Sequence, residues 1–136
     1  MNYLLDTNVC IALINGTSSL ARRRYIQATR DKIIPQTSSI VTHELWYGVA
    51  KSGRVVQNAN RLTAFLTSAV AVLDYSAQDA RAAGEIRADL ERQGKRIGEY
   101  DTLIAGQAFA RNLILVTANT REFKRIKGLT VEDWTR

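Results

Sequence analysis

The sequence is short of the residues that build disulfides and soft-metal sites. It holds one cysteine, Cys10, and one histidine, His43, in 136 residues. A lone cysteine forms no intrachain disulfide, which suits a reducing compartment, and the pair offers too few soft ligands for a zinc site. Proline is as scarce, with Pro35 alone, and no Gly/Ser-rich linker interrupts the chain. One domain over residues 1–136 is therefore expected, long enough to close a single apolar core. Long hydrophobic runs are missing too. The longest strongly apolar uncharged stretch runs from Leu62 to Leu73, well short of the roughly 20 residues of a bilayer-spanning helix. The opening Met-Asn-Tyr-Leu-Leu-Asp lacks the basic segment of a secretory signal. A cytoplasmic protein with no membrane segment is expected.

Positive charge is what the chain has in excess. Nineteen Lys and Arg against thirteen Asp and Glu leave a formal charge of +6, which suits a nucleic acid, an anionic surface or an acidic partner. Short branched runs at 3–5, 33–34, 70–73 and 113–116 read as buried strands. Between them, 40–52, 78–93 and 100–112 carry apolar residues at helical spacing. The second of these opens on Ser76-Ala77-Gln78-Asp79, a capping-box pattern, and ends at Gly94, suited to a left-handed cap. Continuous apolar strands alternating with helices predict a small, mostly parallel sheet in a three-layer α/β/α sandwich. Ligands of such sheets bind beyond the carboxyl ends of the strands.

Acids are what the sequence places there. Asp6 follows the first strand, Glu44 lies one turn into the helix after the second, Asp101 opens the 100–112 helix, and Asn119 and Glu122 follow the fourth strand. Each alone has an ordinary reading. Asp6 is a natural helix N-cap, Asp101 is favoured by a helix dipole, and Glu122 has arginines and lysines of 121–127 for partners. His43 reads as a helix-surface or packing residue, Cys10 as buried filler, and Asp74, Glu132 and Asp133 as caps or exposed charges. Together, several acids at one sheet edge need a counter-ion. Two like charges about 4 Å apart repel by roughly 4 kcal/mol at an effective dielectric near 20. An oxygen-only donor set favours Mg²⁺ or Mn²⁺, and an acidic metal site on a basic body suits a phosphodiester nuclease. Lys95, Arg96, Arg121, Lys124, Arg125 and Lys127 border that edge in sequence, whereas Arg22, Arg23, Arg24, Arg30 and Lys32 read as a solvated face.

Four blocks resemble the PIN-domain ribonucleases, and more narrowly the VapC toxins of type II toxin–antitoxin systems. They are Tyr-Leu-Leu-Asp6-Thr-Asn8, Ser-Ser-Ile-Val-Thr-His-Glu44-Leu-Trp-Tyr-Gly48, Arg-Ile-Gly98-Glu-Tyr-Asp101-Thr-Leu-Ile-Ala and Leu-Val-Thr117-Ala-Asn119-Thr-Arg-Glu122-Phe123. The resemblance implies a PIN-like fold, an acidic triad of Asp6, Glu44 and Asp101, and Mg²⁺ (or Mn²⁺) held by Asp6 and Asp101. Where the wider fold often has a fourth acid this chain has Asn119, and Glu122 stands in for it. The resemblance also implies a homodimer, a VapB-type antitoxin and, as substrate, a structured translation RNA such as a tRNA or rRNA loop. The expected reaction is in-line attack of a metal-activated water on the scissile phosphate, with Glu44 orienting or deprotonating that water. Two rivals come from other classes. A receiver-like phosphoacceptor would need paired acids after the first strand and an acceptor after the third, where only Asp74 is available. An inactive RNA-binding module would not need the three acids.

Overall fold

The computed structural model describes residues 2–136. In chain order the elements are β1 (Tyr3–Leu5), α1 (Thr7–Asn15), α2 (Ser19–Arg30), β2 (Gln36–Ser38), α3 (Ser39–Ala50), α4 (Val55–Ser68), β3 (Ala71–Leu73), α5 (Ala77–Arg92), α6 (Glu99–Ala110), β4 (Ile114–Val116), α7 (Thr120–Phe123) and β5 (Val131–Glu132). The strands form one sheet in the order β3-β2-β1-β4-β5. All of its pairings are parallel, with Leu5 opposite Thr37 on one side and Val116 on the other. Leu4 and Leu5 are both fully buried, as are Leu115 and Val116. Consecutive strand residues point to opposite faces, so the central strands are covered on both, as a three-layer sandwich requires.

Two of the expected strands are corrected. Ile33 and Ile34 lie outside the sheet, and Ile34 is 64% exposed; the second strand is the polar triplet Gln36-Thr37-Ser38 just beyond Pro35. Polar residues enter the core there because their hydroxyls find partners. Thr37 Oγ1 donates to the Leu5 carbonyl at 2.8 Å, and Ser38 Oγ caps α3 by accepting from the Ile40 N–H at 3.0 Å. The 70–73 run does form β3, but as an edge strand with Ala71 and Val72 exposed rather than a buried one.

The remaining helices form for local reasons. Helix α5 has the expected capping box, Ser76 and Asp79 each accepting from the other's backbone N–H, and Gly94 takes φ +67° in its left-handed turn. Helices α5 and α6 pack so closely that a Cβ on Gly106 would lie 2.6 Å from Ala83 Cβ. A buried polar knot locks the pair. Asp79 accepts from Arg111 Nε and Nη2 at 3.2 and 2.9 Å and from Gln107 Nε2 at 3.1 Å. Burial opposes ionisation of Asp79, but these donors and the Ser76 N–H outweigh it and hold the carboxyl below its usual range. At the other end of the sheet Arg24 pairs with Glu132 at 2.7 Å and lies over Trp134, whose indole N–H also donates to Glu132.

Candidate active site

In a parallel sheet the helices run back against the strands, so strand carboxyl ends and helix N-termini meet at one edge. β1 lies centrally, where chain connections diverge to β2 on one side and β4 on the other, the usual position of a ligand crevice in open α/β sheets. Asp6 stands there. It is 6% exposed and its carboxylate is held at both oxygens: Oδ1 accepts from the Val9 N–H at 3.2 Å as the cap of α1, while Oδ2 accepts from Thr117 Oγ1. The N-cap reading of Asp6 is therefore correct without excluding a site role. Burial pushes its pKa up, the hydrogen bonds from Thr117, Val9 and Asn8 pull it back, and the Glu44 charge raises it again.

Glu44 projects from the second turn of α3 and is half-buried. Its Oε1 accepts from Thr7 Oγ1 at 2.9 Å, so the residue after Asp6 ties the two acids together. Asp101 lies in the first turn of α6. Gly98 precedes that turn as its N-cap, without a side-chain cap of its own. Glu122, on α7, accepts from Asn119 Nδ2 at 3.1 Å rather than from a neighbouring arginine or lysine. The pairing expected of it with residues 121–127 gives way to this amide. Asn119 also donates its backbone N–H to Thr117 Oγ1 at 3.0 Å. A chain of contacts thus runs from Glu122 through Asn119 and Thr117 to Asp6.

Asp101 reports the convergence most directly. Its pKa is raised to about 6, first by burial and then by the charges of Asp6, Glu122 and Glu44. Every one of these influences raises it, and no cation offsets them. The four acids singled out in the sequence therefore share one electrostatic environment. Among the described residues no three acidic, histidine or cysteine groups close into a ready-made chelate. An open, all-oxygen, uncompensated donor set fits a hard divalent cation that keeps several waters and takes one or two carboxylates.

Sequence reasoning missed the two hydroxyls, Thr7 and Thr117, that orient the acids. Their signal was adjacency: each directly follows a buried residue at a strand's carboxyl end. His43 lies on the exposed surface, as expected, and Cys10 is fully buried. Asp74 follows the edge strand β3, where Arg111 and Gln107 donate to its backbone carbonyl, and its charge acts on Arg111 and is absent from the influences on Asp6 and Asp101. No helix among the described residues is long and apolar enough to cross a membrane.

Comparison with known proteins agrees with this geometry. The PIN domain family matches residues 3–129. The chain is 42% identical over 135 residues to the tRNA(fMet)-specific endonuclease VapC of Shigella flexneri, covering 99% of each. It is 42% identical over 136 residues to Ribonuclease VapC2 of Rickettsia felis, covering 100% of each. The crystal structure of VapBC2 from Rickettsia felis, bound to a DNA fragment from its promoter, superposes with a TM-score of 0.91 at 40% identity, covering 98% of this chain and 99% of that one. With acids gathered at the switch point of a five-stranded parallel sheet, and relatives matched end to end, the chain belongs to the PIN-domain family, in its VapC ribonuclease branch.

Proposed function

We propose that this protein is a divalent-metal-dependent endoribonuclease toxin that cuts a structured translation RNA. The observation that carries the reading is the gathering of acids at the carboxyl edge of β1, where Thr7 ties Glu44 to the segment of Asp6 and Thr117 and Asn119 link Asp6 to Glu122, with Asp101 under the charge of all three. Such repulsion is relieved by a bound cation. Asp6 and Asp101 would hold Mg²⁺ (or Mn²⁺), which when bound supplies charge stabilisation at a phosphoryl oxygen and a water of lowered pKa. The chain's own groups do the rest. Thr117 holds Asp6 in one orientation and works against the rise that burial gives its pKa, as outer hydrogen bonds do for metal ligands. Thr7 holds Glu44, which orients the attacking water or accepts its proton. Glu122, steadied by Asn119, adds negative charge at the far side of the crevice. Unpaired cations in its vicinity along the sequence, such as Lys124 and Lys127, position flanking phosphates.

The relatives sharpen the substrate and partners. The Shigella flexneri relative is named as specific for tRNA(fMet), so initiator tRNA is the first substrate to try. Two solved relatives at 40% and 41% identity are DNA-bound VapBC complexes, which supports a VapB-type antitoxin; a toxin homodimer and a cytoplasmic setting belong to the same proposal. A cavity of about 260 Å³ lined by Ile11, Ile14, Leu45 and Leu62, with Glu44 at its wall, offers an antitoxin segment an apolar seat next to the site.

Incubation with tRNA in Mg²⁺, with and without EDTA, tests the reading. Wild type is expected to cleave only without the chelator, and Asp6→Asn at no more than about a hundredth of its rate. Chelator-resistant cleavage, or equal rates in the two proteins, would overturn it. RNA binding without cleavage in any divalent ion would favour the binding-module alternative.

A further inference from the structure

Aromatic residues make up only 7% of the chain, yet they gather where they are least expected, in solvent beside the acids. Of the four aromatics left exposed (Trp46, Tyr47, Tyr100 and Phe109), the first three lie within three residues of Glu44 or Asp101. His43 immediately precedes Glu44, and Tyr100 immediately precedes Asp101. Their rings meet between α3 and α6 in a tilted arrangement, with centroids 5.7 Å apart and planes inclined by 31°. Tyr47, one turn after His43 on the same helical face, is 62% exposed. Lys51, a further turn along, holds its ammonium 4.6 Å from the Tyr47 ring and has no carboxylate partner among the described residues. The stripe His43–Tyr47–Lys51 thus offers ring faces and then a cation whose one partner among the described residues is the Tyr47 ring, starting next to Glu44.

We propose that His43, Tyr100 and Tyr47 form a stacking platform for unpaired nucleobases, so that RNA enters the crevice through single-stranded nucleotides. The proposal rests on the ribonuclease reading. Charge complementarity selects the occupant: a base lies on an aromatic face, its phosphate meets Lys51, and the whole body is positive. Aromatic rings recognise unpaired bases because every base has a π-face, whereas the bases of a duplex are stacked on one another and out of reach. Phosphates held by cations fix where the strand lies, and the stacked bases decide that it must be open there.

The test measures binding in EDTA, so that it does not depend on cleavage. The probes are a labelled ten-nucleotide single-stranded RNA, the same strand with abasic positions, and its duplex. Wild type is expected to prefer the intact single strand to both others. Tyr100→Ala and His43→Ala are each expected to weaken binding of that strand by roughly 5- to 150-fold, the range for loss of one base–aromatic stack, leaving the abasic strand unaffected. Tyr100→Phe should restore the loss, and Lys51→Ala should lower the salt slope by about one. Circular dichroism of each variant checks folding. No preference of wild type for the intact strand overturns the proposal, and so do alanine variants that bind all three probes as wild type does. Alanine variants that dissociate a dimer in sedimentation while keeping the base preference assign the patch to a second copy instead. Cleavage in Mg²⁺ is scored separately: its absence in wild type sinks the ribonuclease reading, while the base preference still decides the platform.

Discussion

Asp101 turns the crowding of carboxylates into something a titration can read. An acid whose folded-state pKa is near 6, against about 3.9 in an unfolded chain, holds its proton better folded than unfolded. Linkage then makes the metal-free protein lose stability as pH rises from about 4 to 6, and the loss persists above that window. Asp101→Asn removes the charge and keeps the shape. In EDTA at pH 7 the variant is expected to melt about 2–5 °C above wild type, a range reduced for solvent screening at a half-buried site, with the gap closing towards pH 4. Mg²⁺ should raise the melting temperature of wild type by mass action and leave the variant almost unmoved. A variant less stable than wild type at pH 7 in EDTA would contradict the picture of mutual repulsion. The convergence was legible from the chain alone: Asp6, Glu44 and Glu122, expected at one sheet edge with Asp101, are the acids whose charges act on it. The hydroxyls of Thr7 and Thr117 were not, because a threonine beside an acid has no marked pattern until its Oγ is seen to donate across 37 or 111 residues.

The α5–α6 hairpin decides how α6 presents Asp101. Gly106 and Ala83 meet backbone to side chain, with no room for another carbon. Gly106→Ala is expected to cost about 1–3 kcal/mol through overpacking, visible as a lower urea midpoint, and to reduce cleavage further by displacing the helix that carries Asp101. Gly84→Ala, on the same hairpin but with nothing within 4 Å, should be neutral or stabilising by about 0.5–1 kcal/mol. Equal midpoints for the two variants would show that the close approach does not hold the hairpin. Helix α5 was readable from its capping box and Gly94, both local signals. Strand β2 was not. Its residues are polar, and Thr37 and Ser38 reach zero exposure only because a neighbouring strand carbonyl and a helix N-terminus satisfy them. Helix α2 escaped notice for the opposite reason: its arginine-rich surface masks the two small buried residues, Ala21 and Ala28, that seat it.

Across the whole molecule a net charge of +6 accompanies the acids gathered at one sheet edge. Binding of RNA to a body of that charge releases counterions, so affinity for tRNA is expected to fall steeply as salt rises from 50 to 200 mM, linearly on logarithmic axes. Asp6→Asn should shift that line without altering its slope, because the crevice acids contact no phosphate through their own charge. A slope near zero in a filter-binding series would argue that charge plays no part in capture. The sequence by itself determined the class of fold, through apolar runs of strand length separated by helical periods, and the identity of the acids, through where they stand against those runs. It also determined the excess of cations, a matter of counting. Only the tertiary structure decided the sheet order that puts β1 between β2 and β4, the polar strand hidden in the core and the hydroxyls aimed at the acids. It alone brought His43 against Tyr100. These depend on pairings between distant segments, and a periodicity records which face of an element is buried without recording what lies against it.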